Sequence, residues 1–84
     1  MSVESELTCE IEKWSRKLEE ALRRVRSSDR TGDQMLENIR AYHDDSRHFL
    51  KNRSLVKSFE CLVWAWAILE TGKNLGHLEM TKGD

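Results

Sequence analysis

His43, Asp44, Asp45 and His48 form the tightest cluster of ligand-capable side chains in the sequence. Asp44 and His48 stand four residues apart, so on a helix they share a face and can grip a metal at two points. Glu37, seven residues before Asp44, adds a third carboxylate to that face. A zinc site takes three or four ligands, and the sequence contains neither a His-Glu-x-x-His nor a Glu-x-x-His motif. Asp44 and His48 are therefore expected on an exposed helix surface and His43 at the edge of the core, with no metal and no other cofactor.

Nucleophilic chemistry has less support. Cys9 lies in a polar stretch and Cys61 in an apolar one, and neither opens a helix at an electropositive loop where a thiolate is favoured. Gly32, Gly72, Gly76 and Gly83 are scattered, so no glycine-rich phosphate loop is present. Arg40 precedes His48 by too many residues for the Arg–His pairing of small helical RNA-cleaving toxins. No catalytic residue is expected, and the protein is read as a non-enzyme.

The elements that position these residues are helices. The chain has 84 residues, no proline and four glycines, which favours long helices in a single small domain. A domain of this size buries only about 60–65% of its unfolded surface, so it gains much from a partner. The 14 basic and 15 acidic side chains nearly cancel, which argues against a dedicated nucleic-acid binder. The acidic N-terminus has no apolar signal core, and the apolar run Cys61–Leu69 is far short of the ~20 residues that span a membrane. With two lone cysteines, a cytoplasmic protein with reduced thiols and no membrane association is expected.

Three helices are predicted, over residues 5–27, 33–51 and 54–72, forming an all-α, up-down-up antiparallel three-helix bundle over residues 1–76. Leu7, Ile11, Trp14, Leu18, Ala21 and Val25 recur at alternating steps of four and three, a heptad seam for the first helix. Thr31 and Gln34 read as a capping box for the second helix, whose seam is Met35, Ile39, Tyr42, Ser46 and Phe49. Asn52 can take the left-handed conformation that ends it, and Ser54 can cap the third helix. Gly72 and Gly76 are alternative ends for that helix, and residues 77–84 are expected to form a flexible tail. Trp14, Tyr42 and Trp66 occupy packing positions rather than a base-stacking platform.

At about 100° per residue, Leu55, Val56, Phe59, Leu62, Val63, Trp66 and Leu69 share one broad face of the third helix, with Ser58 and Ala65 at its edge. Cys61, Trp64 and Ile68 fall on the opposite side as a second apolar stripe. Three short helices hide only one of these sides, so Cys61, Trp64 and Ile68 are the candidate interaction face. Its simplest occupant is a second copy, in a symmetric homodimer; an unidentified protein partner is another, and the alternative is a monomer whose first helix or C-terminal tail folds over the stripe. Arg16, Lys17, Arg23, Arg24 and Arg26 are the candidate contact for an anion or nucleic acid. Their main reading is a solvated helix end that complements the helix dipole.

Two stretches resemble a known family. Tyr42-His-Asp-Asp-Ser46 with His48-Phe-Leu50, then Ser58-Phe-Glu-Cys-Leu-Val-Trp-Ala-Trp-Ala-Ile-Leu-Glu-Thr-Gly-Lys-Asn-Leu-Gly76, are similar to domain-of-unknown-function family DUF 357, over about residues 33–76. The resemblance implies an archaeal source and a compact helical fold. It implies no activity, substrate or catalytic residue. Ser46 stands where the family pattern has a smaller alanine, and Asn52-Arg53 replaces a glycine-containing turn. The same hairpin is similar in packing to one tetratricopeptide-type unit, with Tyr42, Ser46, Phe49, Ser58, Leu62 and Ala65 at the large and small positions. One unit makes no solenoid, but the likeness favours protein binding. The functional expectation is therefore a self-associating interaction or scaffold module. The alternative is a nucleic-acid accessory protein, and a metal-dependent hydrolase at Asp44 and His48 is the weakest reading.

Overall fold

A computed structural model of the chain describes residues 2–82. Three helices and two short strands follow in the order α1 (Val3–Arg24), β1 (Val25–Ser27), α2 (Arg30–Lys51), α3 (Leu55–Leu75) and β2 (Leu78–Met80). The helices form an up-down-up bundle measuring 42 × 25 × 18 Å. α3 is the central helix. Both α1 and α2 pack on it, whereas α1 and α2 hardly touch.

Each helix starts and stops for local reasons. Ser2 caps α1 by accepting the Ser5 N–H at 3.1 Å, and Glu4 and Glu6 in the first turn oppose Arg23 and Arg24 in the last. The helix does not run on to Ser27 as its heptad spacing predicts. Val25 turns to φ −83°, ψ 141° because the backbone of residues 25–27 is paired with β2. α2 begins earlier than the Thr31–Gln34 capping box predicts. Asp29 is the cap, with Oδ1 accepting the Gly32 N–H at 2.8 Å. At the other end of α2 it is Arg53, not Asn52, that has the left-handed backbone, at φ 61°. Ser54 makes no side-chain cap bond. α3 runs past Gly72 and stops at Gly76. There φ is +82°, and the Gly76 and His77 N–H groups close back on the Lys73 and Gly72 carbonyls at 3.2 and 2.9 Å.

α2 and α3 meet along two rows of seven-residue spacing. Gly32, Ile39 and Ser46 on α2 run antiparallel to Gly72, Ala65 and Ser58 on α3, and all six are buried. Ser46, Ser58 and Ala65 in these rows let the two backbones approach. At the tightest level Ser58 donates to the Ser46 carbonyl at 2.8 Å, and the two hydroxyls lie 3.0 Å apart. The rest of the core is Leu55, Leu62 and Leu69 of α3, with Ile11 and Leu18 of α1, Val25 and Leu78. Each such large side chain contributes roughly 1.5–3 kcal/mol on burial.

The expected flexible tail is ordered over residues 77–82; residues 83 and 84 of that tail lie outside the described residues. β2 pairs antiparallel with β1, matching Val25 with Met80, Arg26 with Glu79 and Ser27 with Leu78. Leu78 is buried on Gly72, and the His77 carbonyl rests on Gly32. A Cβ on either glycine would occupy that space, so the glycines make room for this C-terminal strap. His77 Nδ1 lies 2.7 Å from Asp29 Oδ2, and Thr81 donates its N–H and its hydroxyl to the Arg24 carbonyl. Among the described residues no helix is long and apolar enough to cross a membrane.

Candidate interaction site

The ligand-capable cluster does not converge. His43 is buried between α1 and α2, while Asp44, Asp45 and His48 are exposed. Among the described residues no three His, Cys, Asp or Glu side chains gather in a metal-binding arrangement.

No spacing in the sequence points to the partners of His43. Ser15 Oγ lies 3.3 Å from His43 Nε2, and Glu19 Oε2 lies 3.0 Å from the same nitrogen. Serine, histidine and carboxylate together invite comparison with a hydrolytic triad. A triad needs the hydroxyl on one ring nitrogen and the acid on the other, so that a proton taken at one is balanced at the other. Here both groups share Nε2, and Ser15 is itself 3.5 Å from the Glu19 carboxylate. The trio works as a polar clasp between α1 and α2, where few other contacts join them.

Arg23, Arg16, Arg24 and Lys17 share one side of α1, within an arc of about 120°, and Glu20 lies in the middle of it. Arg23 and Arg24 both pair with Glu20, the latter at 2.9 Å. The hydrogen bond and charge of Arg23, then the charge of Arg24, hold the Glu20 carboxyl below its ordinary range. Lys17 lies over the Trp14 ring, 4.7 Å from its centroid. Arg26 is exposed on β1, across from Glu79.

Trp64 is 59% exposed, and its ring stacks on Tyr42 of α2 with centroids 6.4 Å apart. Cys61 and Ile68, its companions in the predicted stripe, are half-buried along the same α2 edge. Burial, followed by the nearby charges of Asp45 and Glu60, pushes the Cys61 thiol above its ordinary range. That suits packing and disfavours a nucleophile.

Val56 and Val63 are placed differently from the sequence expectation. Both are predicted inside, yet they are 66% and 51% exposed. The physical cause is the small-residue row. Close approach of α2 at Ser58 and Ala65, with Leu78 of the strap seated on Gly72, centres the buried face of α3 on these residues and on Leu55, Leu62 and Leu69. Val56 and Val63 are thereby turned outward, beside α1. There Trp14 meets Trp66 edge to face at 5.8 Å, and Trp66 Nε1 points at the Trp14 carbonyl at 3.4 Å. Glu10 accepts the Trp14 indole N–H at 3.1 Å. Val56 and Val63 thus flank the Trp14–Trp66 contact along the seam between α1 and α3.

The sequence profile of the family described as "Protein of unknown function (DUF357)" matches residues 13–78, from α1 to the buried Leu78 of the strap. The chain is similar to the crystal structure of protein AF1782 from Archaeoglobus fulgidus, also identified with DUF357. The TM-score is 0.87 at 42% identity, covering 95% of this chain and 100% of that one. A search of curated proteins finds no match. The family match over most of the chain and the close structural likeness agree: this three-helix protein belongs to the DUF357 family.

Proposed function

We propose that the protein is a non-catalytic interaction module of the cytoplasm that self-associates through the outer side of α3. One observation carries this reading. The central helix of the bundle, packed on by both other helices, still presents Val56, Val63 and Trp64 to solvent. Surface apolar residues are ordinary when scattered singly, but two valines one heptad apart on the α1 side of the helix, with an exposed Trp on its α2 side, favour a contact surface. Burying Val56 and Val63 in each copy adds roughly 1.5–3 kcal/mol per side chain. The gain is large for a chain whose own core is small. Two free thiols, Cys9 and Cys61, accord with a reducing compartment. Arg23 and Arg24 both pair with Glu20, which offsets one of their two charges and favours this reading over a nucleic-acid contact.

Light scattering at micromolar concentration tests the reading. The expected result is twice the chain mass for the wild type and a monomer for the double variant Val63→Glu, Trp64→Glu. A monomeric wild type overturns it. Retention on RNA or DNA that weakens steeply with salt would install the nucleic-acid reading in its place.

A further inference from the structure

We infer that two copies associate along the exposed seam between α1 and α3, about a two-fold axis running parallel to those helices. This rests on the self-association reading above and specifies the surface and its geometry.

α1 and α3 run in the same direction. Glu4 near the start of α1 pairs with Arg53 just before α3 at 2.7 Å, and the end of α1 is tied to the strap that follows α3. The Trp14–Trp66 contact fixes their relative height. Steps of seven residues keep to one side of a helix, drifting only about 20° each. On α1 the row beside this seam is Val3, Glu10 and Lys17. Glu10 and Lys17 both reach the Trp14 ring system. On α3 the row is Val56, Val63 and Glu70, each three or four residues from Phe59 or Trp66. Counted from Trp14 and Trp66, the two rows are in step to within one residue, about 1.5 Å. Val3 is level with Val56, Glu10 with Val63, and Lys17 with Glu70.

A two-fold axis parallel to the helices lays the α1 row of each copy on the α3 row of the other. Val3, which is 79% exposed, meets Val56, and Lys17 meets Glu70, each contact being made twice. Val63 meets Glu10, whose carboxylate is held beside the Trp14 ring by the indole N–H. The antiparallel alternative lays like helix on like helix, which sets Val3 against Lys17, Val56 against Glu70 and Glu10 against Glu10. Two apolar–charge contacts and a like-charge contact then replace the single Val63–Glu10 mismatch. The seam is thus better matched to itself in the parallel orientation, which points to a second copy of this chain as its occupant. Glu70 has Lys73 of its own helix at 3.5 Å, an exposed pair that is readily exchanged.

The test is sedimentation equilibrium on the full chain and four variants, with circular dichroism to confirm folding. Val63→Glu should be monomeric, while Trp64→Glu should remain a dimer. Lys17→Glu should raise the dimer Kd by roughly ten-fold, since it sets like charges together twice. Adding Glu70→Lys to it should restore the wild-type value. A dimer that survives Val63→Glu, or that Trp64→Glu abolishes, overturns this geometry and leaves self-association standing. Failure of the charge swap to restore the Kd also overturns it. A monomeric wild type overturns both.

Discussion

The His77 carbonyl oxygen rests on the bare Cα of Gly32, 45 positions earlier in the chain, where any Cβ would overlap it. Gly32 lies in the first turn of α2 and has ordinary helical backbone, so its lack of a side chain serves space rather than conformation. Gly32→Ala should push the strap off the α1–α2 corner while leaving the helices formed. Overpacking of this kind costs about 1–3 kcal/mol. Urea unfolding measures the loss. Hydrogen exchange should show it locally, at the Ser28 and Thr81 amides that bond to the His77 and Arg24 carbonyls. Unchanged protection at those two amides would refute the assignment.

Ser58 should discriminate between two kinds of damage. Ser58→Ala removes one hydroxyl from the Ser46 pair and should cost about 1 kcal/mol, the usual net value of a hydrogen bond. Ser58→Leu forces a large side chain between backbones at their closest approach and should cost more, about 1–3 kcal/mol. The order is the test. If leucine is tolerated as well as alanine, the two helices are not held together as tightly as this packing requires.

The three helices were legible because each carries a seven-residue apolar row and a polar break at each end. Their faces were only partly legible. Ser58 and Ala65 were recognisable as small residues of a helix crossing. That they centre the packed face, with Gly72, emerges only when they are set against Gly32, Ile39 and Ser46 of the partner helix. Val56 and Val63 were consequently predicted inside. The strap gave no usable signal, since three-residue strands are too short for a period of two to register. Val25 also fits the heptad of α1, so nothing local marks its departure from the helix. Asp29 competes with Thr31 as the cap, and the preference for Asp29 rests partly on His77, far away in sequence. The His43 clasp likewise joins residues from two helices whose relative rotation no local pattern fixes.

Asp29 should confer a specific acid sensitivity. Its carboxylate accepts the Gly32 N–H and meets His77 Nδ1. The first of these, then the second, holds its pKa below the ordinary aspartate value. A folded pKa lower than the unfolded one means that the unfolded chain binds the proton more readily. The stabilisation is therefore complete above the unfolded value of about 3.9 and is lost as the pH falls through the lower folded value. Asp29→Asn keeps a capping side chain but cannot titrate. Urea midpoints measured from neutral pH down to acid should fall less steeply for this variant than for the wild type. Parallel curves would show that Asp29 has no share in the acid limb.

The strap should hold α1 more than it holds the α2–α3 hairpin. α1 packs on α3 through few large side chains, chiefly Ile11 and Leu18, and hardly meets α2. It is pinned at its start by the Glu4–Arg53 ion pair, an exposed contact of small worth, and at its end by β1. β1 is held in turn by β2, and β2 is anchored by Leu78, whose side chain fills the space above Gly72. Leu78→Ala removes that anchor and should cost about 2–5 kcal/mol, toward the lower end because the strap can yield around the cavity. The damage should be uneven. Amides in the last turns of α1 should lose hydrogen-exchange protection first, while the Ser46–Ser58 level of the hairpin keeps it until global unfolding. Uniform loss across all three helices would show that α1 and the hairpin unfold as one unit, and that the strap merely adds to a stability they already share.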